Sequence, residues 1–292
     1  MKAHLRADLI RLRGRWDVWV LGIGIPVFAA VGYFQGYANV PTHYFSSDPT
    51  QPLPDVIVAS IAAERATYAF PHSLLLLIGS APWLLAAMFA YTALLVGIEY
   101  DSGTIRTALI ASPDRRSYLA SRLLVLAVLG SAILAGLIAL GAILPGVMAV
   151  TGNSPPPSPI VAPIEVVGAA GSVVVSLLFV LSFAALLAVA TRNPALPVLV
   201  GLLYFVIETF LGNLNQWREL NLDLVRGSLP FASVMGLLAD ASDPAHYGSG
   251  PQITDPNYVD RPLILSLLVV AGWAVILAVA ADELFRRSDI RE

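Results

Sequence analysis

The sequence predicts an all-α, polytopic membrane protein with six transmembrane helices. Of its 292 residues, 57% are hydrophobic and 13% are charged, whereas soluble proteins carry about 25% charged residues. A helix needs about 20 mostly apolar residues to cross about 30 Å of hydrocarbon. Six windows of that kind cover roughly residues 18–37, 73–98, 118–150, 164–190, 195–214 and 262–281. The third and fourth windows exceed one crossing, so we expect them to tilt, kink or extend beyond the bilayer.

The basic residues orient these six spans. Thirteen of the 17 fall on one side: Lys2, Arg6, Arg11, Arg13, Arg15, Arg106, Arg115, Arg116, Arg122, Arg192, Arg286, Arg287 and Arg291. Arg65, Arg218, Arg226 and Arg261 fall on the other. Because Lys and Arg accumulate in cytoplasmic segments, both termini are predicted to be cytoplasmic. A basic start followed by an apolar run also fits a cleavable signal peptide, but residues 29–32 (AAVG) make a poor cleavage site, so we interpret it as an uncleaved span.

Residues 1–16 have the pattern of an amphipathic surface helix. Leu5, Leu9, Leu12 and Trp16 recur at helical spacing, and basic residues surround the opposite face. We predict that this helix lies on the cytoplasmic leaflet. The alternative is a basic flank that only orients the first span. The basic inner face indicates anionic membrane lipids as partners, and not nucleic acid.

Three segments are predicted outside the membrane. In the first, residues 40–54 should be irregular and residues 55–70 have helical composition. The second begins at Thr151 and is rich in proline, which favours polyproline II. The third, residues 212–261, contains two short apolar pieces at 220–225 and 229–238, which suggest small helices at the outer interface, although a structureless loop fits nearly as well.

Residues 99–117 form a charged loop between the second and third spans. Glu99 and Asp101 are acidic residues of the kind that favour a helix N-terminus, and Ser102 is a candidate cap. Ile105, Ala108 and Leu109 follow at spacing that places them on one helical face. The pattern predicts a short amphipathic helix.

A second helix start is predicted at the end of this loop. Ser112 fits an N-cap and Pro113 the first helical position of a helix that continues into the third span. A surface helix with an apolar stripe and a flanking Arg106 suits docking into a groove of a soluble partner. An ordinary polar turn with cytoplasmic arginines explains the spacing equally well.

The stretch EYDSGTIRTALIASPDRR, residues 99–116, resembles the first cytoplasmic loop of type-2 ABC exporter permeases. In that family an E-x-x-x-G-T-[IL]-R segment precedes a Pro-x-Arg or Pro-x-x-Arg turn. The matching positions are Glu99, Gly103, Thr104, Arg106, Pro113 and Arg116. The ending FRRSD, residues 285–289, resembles the family's ending. One departure is Arg122, which stands where a lysine is common.

The resemblance implies a function for the loop and for the chain. In that family the loop forms a coupling helix that contacts a cytoplasmic ATPase subunit, present in two copies, and two permease halves, identical or paired, enclose the transport path. This sequence has no G-x-x-x-x-G-K-[ST] phosphate loop, so ATP would be bound by the partner subunit and not by this chain. We therefore expect the chain itself to bind no cofactor.

Glu208 is the main ionisable candidate inside a span. An ionisable residue at membrane depth costs about 2.5 to 3.5 kcal/mol and commonly has a functional role. As a path-lining carboxylate it would meet a cationic or polar group of a substrate. The alternative is a side chain that snorkels outward, in one arrangement paired with Arg218.

Enzymatic functions find little support in the sequence. Cysteine is absent, which excludes thiolate nucleophiles and Cys-ligated metals, and the four histidines show neither an H-E-x-x-H motif nor a pair at helical spacing. The resemblance to the permeases instead implies the membrane subunit of an ATP-driven exporter of apolar or amphipathic compounds, which we expect in a bacterial cell membrane. The alternatives are an ion-gradient-driven secondary transporter, or a membrane receptor or immunity protein that transports nothing.

Overall fold

A computed structural model describes residues 10, 14–40, 55–111, 114–153, 155–157, 161–212, 228–242 and 263–287. Ten helices and no strand occur in these ranges. They are α1 (Trp16–Asn39), α2 (Asp55–Ala66), α3 (His72–Ile78), α4 (Ala81–Asp101), α5 (Thr104–Ala111), α6 (Arg115–Val150), α7 (Pro163–Thr191), α8 (Leu196–Gly212), α9 (Pro230–Ser242) and α10 (Leu263–Arg287).

Five helical stretches within the described ranges are long and apolar enough to cross a membrane. They are α1, α3 with α4, α6, α7 and α10, and they fall on the first four and the last of the predicted windows. The all-helical character is thus confirmed for the described ranges, and five of the six predicted windows hold candidate membrane spans. The remaining window contains α8, whose 17 residues cover about 25 Å at 1.5 Å per residue, so the sixth span stays a prediction.

The second window is divided between two helices. α3 ends at Ile78 and α4 begins at Ala81, with Pro82 in its first turn. Proline is tolerated there because the first turn leaves its backbone N–H groups unbonded. Between the two helices, the Ser80 hydroxyl donates to the Leu77 carbonyl at 2.6 Å. The division explains how this window can hold more residues than one straight crossing needs.

α7 lies at the centre of the bundle and packs against α4 and α10. Among the described spans it has the largest buried share. Its buried face carries many small residues, including Ser172, Ser176, Ala184, Ala185 and Ala188. Small side chains allow membrane helices to approach closely, which replaces the hydrophobic driving force that lipid cannot supply.

Short helices lie at the end of the bundle that is predicted to face outward. Along α3, buried Ser73 donates its hydroxyl proton to the Gly141 carbonyl of α6 at 2.6 Å. The predicted helical character of residues 55–70 is confirmed by α2, and that of residues 229–238 by α9. α9 packs its residues Val234, Leu237 and Leu238 into the main hydrophobic core, so it is an integral part of the bundle.

Several predictions lie outside the described residues. The surface helix over residues 1–16 is one of them, because of this segment only residues 10 and 14–16 are described. The irregular segment 40–54 lies outside as well, apart from Val40, as does the apolar piece 220–225.

Candidate functional site

The turn that follows α4 is built around a glycine with a left-handed backbone. Gly103 has a φ of 67°, a conformation that strains residues with a Cβ atom. The Ser102 hydroxyl donates to the Ile98 carbonyl at 2.7 Å, and Thr104 Oγ1 donates to the Glu99 carbonyl at 3.3 Å. Glu99 and Asp101, predicted to lie at a helix N-terminus, belong instead to the last turn of α4, and the hydroxyl groups of Ser102 and Thr104 bond to carbonyls of that turn.

The short helix predicted in the loop is confirmed as α5, Thr104–Ala111. Ile105 is fully buried against the bundle, whereas Ile110 is 84% exposed. Thr104 and Thr107 are also exposed. One side of α5 therefore attaches the helix to the spans and another side is open. Arg106 belongs to α5, but its side chain lies outside the described part of the chain.

A buried polar cluster of Glu99, Tyr118 and Arg122 lies beneath this turn. Arg122 Nη2 donates to Glu99 Oε1, and the Tyr118 hydroxyl donates to Glu99 Oε2 at 2.8 Å. The Arg122 guanidinium carbon lies 5.6 Å from the centre of the Tyr118 ring. Glu99 is only 9% exposed and Arg122 only 6%. Because each carboxylate oxygen accepts a hydrogen bond, the cluster fastens the end of α4 to the start of α6.

The start of α6 differs from the prediction. Its N-cap is Asp114, whose side chain accepts from the Ser117 backbone N–H at 3.3 Å, so the prediction that Ser112 caps this helix and Pro113 begins it is wrong. Carboxylates and hydroxyls both cap helices, and the sequence offered both within three residues. Pro113 itself lies outside the described residues.

The last turn of α10 is held against the same region. Arg116 Nε lies 3.1 Å from Asp282 Oδ2, and Arg115 Nη1 donates to the Arg286 carbonyl at 2.8 Å. Cations near helix C-termini neutralise the carbonyl groups that have no partner within the helix. The two arginines at the start of α6 therefore bind the end of α10.

An aromatic clamp of Tyr100, Tyr118 and Phe285 fills the space between α4, α6 and α10. The ring of Phe285 stacks on Tyr118, with centroids 6.1 Å apart and planes at 17°, and meets Tyr100 edge-on at 6.2 Å. Phe285 is 1% exposed. Tyr118 thus belongs to both the polar cluster and the aromatic clamp. It contacts the ion pair of Glu99 and Arg122 on one side and Phe285 of α10 on the other.

Two further contacts complete this end of the bundle. A Cβ atom on Gly97 would lie 2.5 Å from the Pro194 Cα, so α4 touches the backbone of the turn between α7 and α8. The Arg15 guanidinium carbon, at the start of α1, lies 5.9 Å from the centre of the Tyr91 ring. Helix ends that the predicted topology places on the cytoplasmic side therefore lie together.

Glu208 lies away from this region and is 4% exposed. Its Oε1 accepts from the backbone N–H of Ala232 at 2.6 Å, in the first turn of α9. A carboxylate is favoured there because the first N–H groups of a helix point out unbonded. Glu208 therefore fastens α8 to α9 and does not snorkel outward. Whether it lines a path stays a prediction, and Arg218 lies outside the described residues.

The structure thus brings together part of the predicted site. Glu99 contacts α6, and Arg116 of α6 contacts α10. Gly103 and Thr104 shape the turn after α4. Tyr118 and Phe285 also belong to this region, although neither was predicted as a site residue. A signal for Tyr118 was available, because α4 and α6 flank one short loop and residues near their ends therefore lie close together. Phe285 had no such signal, because it is 167 positions away from Tyr118 along the chain.

Comparisons with family models, curated proteins and solved structures found no match to this chain. Within the described residues, no group of three or more His, Asp or Glu side chains could hold a metal ion. The site is suited to transmitting a displacement, because an exposed helix is attached to the spans by buried polar and aromatic contacts.

Proposed function

We propose that this chain is the membrane subunit of an ATP-driven exporter of the type-2 ABC class. It would move an apolar or amphipathic compound out of a bacterial cell. A separate cytoplasmic ATPase, in two copies, would supply the energy, and a second copy of this chain or a paralogue would complete the path.

The observation that carries the proposal is the way α5 is attached to the spans. Its exposed side, with Ile110, is available to a soluble partner, and its other side is anchored by buried Ile105. Directly beneath it, Glu99 joins α4 to α6 through Tyr118 and Arg122. A push on α5 is therefore transmitted to two spans together, as a coupling element requires.

The mechanism that follows is a rigid-body movement. Closure of the ATPase pair on ATP would displace α5, and α4 and α6 would move with it because the polar cluster joins them. Tightly packed helices respond to such displacements by switching between discrete arrangements, and not by bending continuously. The path would then open toward the outside. Arg122, the departure from the family's common lysine, keeps the cation that Glu99 requires.

The test begins with the protein in its native membranes. We would purify the tagged chain in mild detergent, identify the proteins that accompany it, and measure vanadate-sensitive ATP hydrolysis. Ile110→Glu places a charge on the exposed side of α5 and should remove the ATPase subunit. Val56→Glu is the matched control, because Val56 is 77% exposed on α2, which is predicted to lie on the opposite side of the membrane.

The outcomes separate the candidate functions. Loss of the ATPase from Ile110→Glu alone would support the coupling role. A protein that transports without nucleotide and copurifies with no ATPase would indicate a gradient-driven carrier. A protein that binds a partner through its outer segments and hydrolyses nothing would indicate a receptor or an immunity protein.

A further inference from the structure

The cytoplasmic end of the last span is attached to the proposed coupling loop by contacts of three kinds. Phe285 stacks on Tyr118 and meets Tyr100 edge-on. Arg116 pairs with Asp282, and Arg115 donates to the carbonyls of Phe285 and Arg286 at 3.4 and 2.8 Å. Ring packing, an ion pair and a helix cap therefore hold the same turn of α10.

These contacts differ in how deeply they are buried. The ion pair is partly exposed, and such pairs contribute little. Phe285, by contrast, is fully buried among residues of α4, α5, α6 and α7, including Val96, Ile105, Leu119 and Val189. The end of α10 therefore belongs to the packed unit that supports α5, although it comes from the opposite end of the chain.

At its middle, α10 has different neighbours. Trp273 donates its ring N–H to the Ser228 carbonyl at 2.9 Å, next to the start of α9. Val270 and Ala274 of α10 lie in the same core cluster as Val234 and Leu237 of α9. α10 thus touches the loop region with one end and the α9 region with its middle.

We propose that α10 is a second arm of the coupling element, which carries movement of α5 through the aromatic clamp to α9. Phe285 is a positioning residue: it binds neither ATP nor transported compound, and acts by holding α10 to Tyr118. This inference rests on the proposed function, since it requires an ATPase that moves α5. It adds a route to the outer side that does not pass along α4 and α6.

The first test measures movement at the outer end of α10. The sequence has no cysteine, so spin labels can be placed at Val56→Cys on α2, a helix outside the proposed route, and at Ile264→Cys on α10, two exposed positions. Vanadate trapping of the ATPase complex should change the distance between the labels. In Phe285→Ala, the fraction of complexes that show this distance change should fall about fivefold or more. Fivefold is the lower end of typical coupling between two sites.

Leu284→Ala is the control, because Leu284 is the adjacent residue and is exposed. It should leave both the distance change and ATP hydrolysis unaltered. Phe285→Ala should keep the ATPase bound and hydrolysing, because the exposed side of α5 is untouched. An unaltered distance change in Phe285→Ala, with hydrolysis intact, would overturn the inference.

A covalent tether keeps the inference testable if Phe285→Ala does not fold. Arg115→Cys and Arg286→Cys, joined by a flexible bis-maleimide linker, attach α6 to α10 at the clamp. If the two helices move together, the tether preserves the vanadate-induced change, and in Phe285→Ala it restores it. A tether that abolishes the change in the otherwise unaltered protein would show that the helices separate during the cycle and would overturn the inference. Absence of any copurifying ATPase would instead contradict the proposed function.

Discussion

Glu99→Gln tests how much the polar cluster contributes to the free energy of unfolding. The substitution keeps the shape of the side chain and removes its charge, which leaves the buried Arg122 guanidinium without its carboxylate. Breaking a buried pair by removing one partner costs about 3 to 5 kcal/mol. The burial of both side chains places this pair in that class.

Two further variants separate the contribution of the Tyr118 hydrogen bond from that of the ion pair. Tyr118→Phe removes one hydrogen bond to Glu99 and should cost about 1.5 to 3 kcal/mol, the range for bonds to charged groups. The double variant Glu99→Leu with Arg122→Met removes both charges and keeps apolar volume. It should cost less than Glu99→Gln alone, since replacing a whole buried pair is often close to neutral.

The assay is equilibrium unfolding in mixed micelles with increasing SDS, followed by tryptophan fluorescence. Glu283→Gln is the control, because the pair between Glu283 and Arg287 is exposed, and no change in stability is expected. If Glu99→Gln is as stable as this control, the cluster is screened by water and our reasoning is refuted. With Glu99→Leu and Arg122→Met also measured singly, a double variant whose loss equals the sum of these two losses would refute it as well, because independent residues add.

Three other changes have defined outcomes. Gly97→Ala should destabilise the protein by about 1 to 3 kcal/mol, the range for overpacking, because its Cβ would meet the Pro194 backbone at 2.5 Å; the unfolding assay above checks it, and wild-type stability would contradict the close contact. Gly103→Ala has open space but a φ of 67°, so it should cost about 1 to 2 kcal/mol of strain, and Gly103→Asn should recover part of that loss. Glu208→Leu should speed hydrogen exchange at the start of α9, whereas Glu208→Gln, which can still accept from Ala232, should not; equal exchange in both variants would show that the cap is unimportant.

Much of the fold could be predicted from the sequence, because it depends on local properties. The length of the apolar runs predicted α1, α6, α7 and α10, since a membrane crossing sets the number of residues needed. Composition also predicted the short helices α2 and α9. Helix ends were less predictable, as Asp114 shows, because several neighbouring residues could serve as the cap and local spacing does not choose among them.

The candidate site depended more on the tertiary structure. Sequence pattern predicted a short helix within residues 99–117, and the resemblance to the permease loop drew attention to Glu99 and Arg116. It did not indicate that Glu99 points down to Tyr118 and Arg122, because that depends on the rotation of α4 against α6. Glu208 shows the same limit, since its partner Ala232 lies on a separate helix 24 positions further on.

The sequence alone therefore determined how many apolar segments the chain has, the predicted orientation of those segments, and the position of its polar loop. These follow from hydrophobic length and charge, which each segment carries independently of the others. Only the tertiary structure decided that Phe285 of the last span completes the support of a loop near residue 100. Such a contact depends on which faces of distant helices meet, and in a membrane bundle close packing, not hydrophobic pattern, selects those faces.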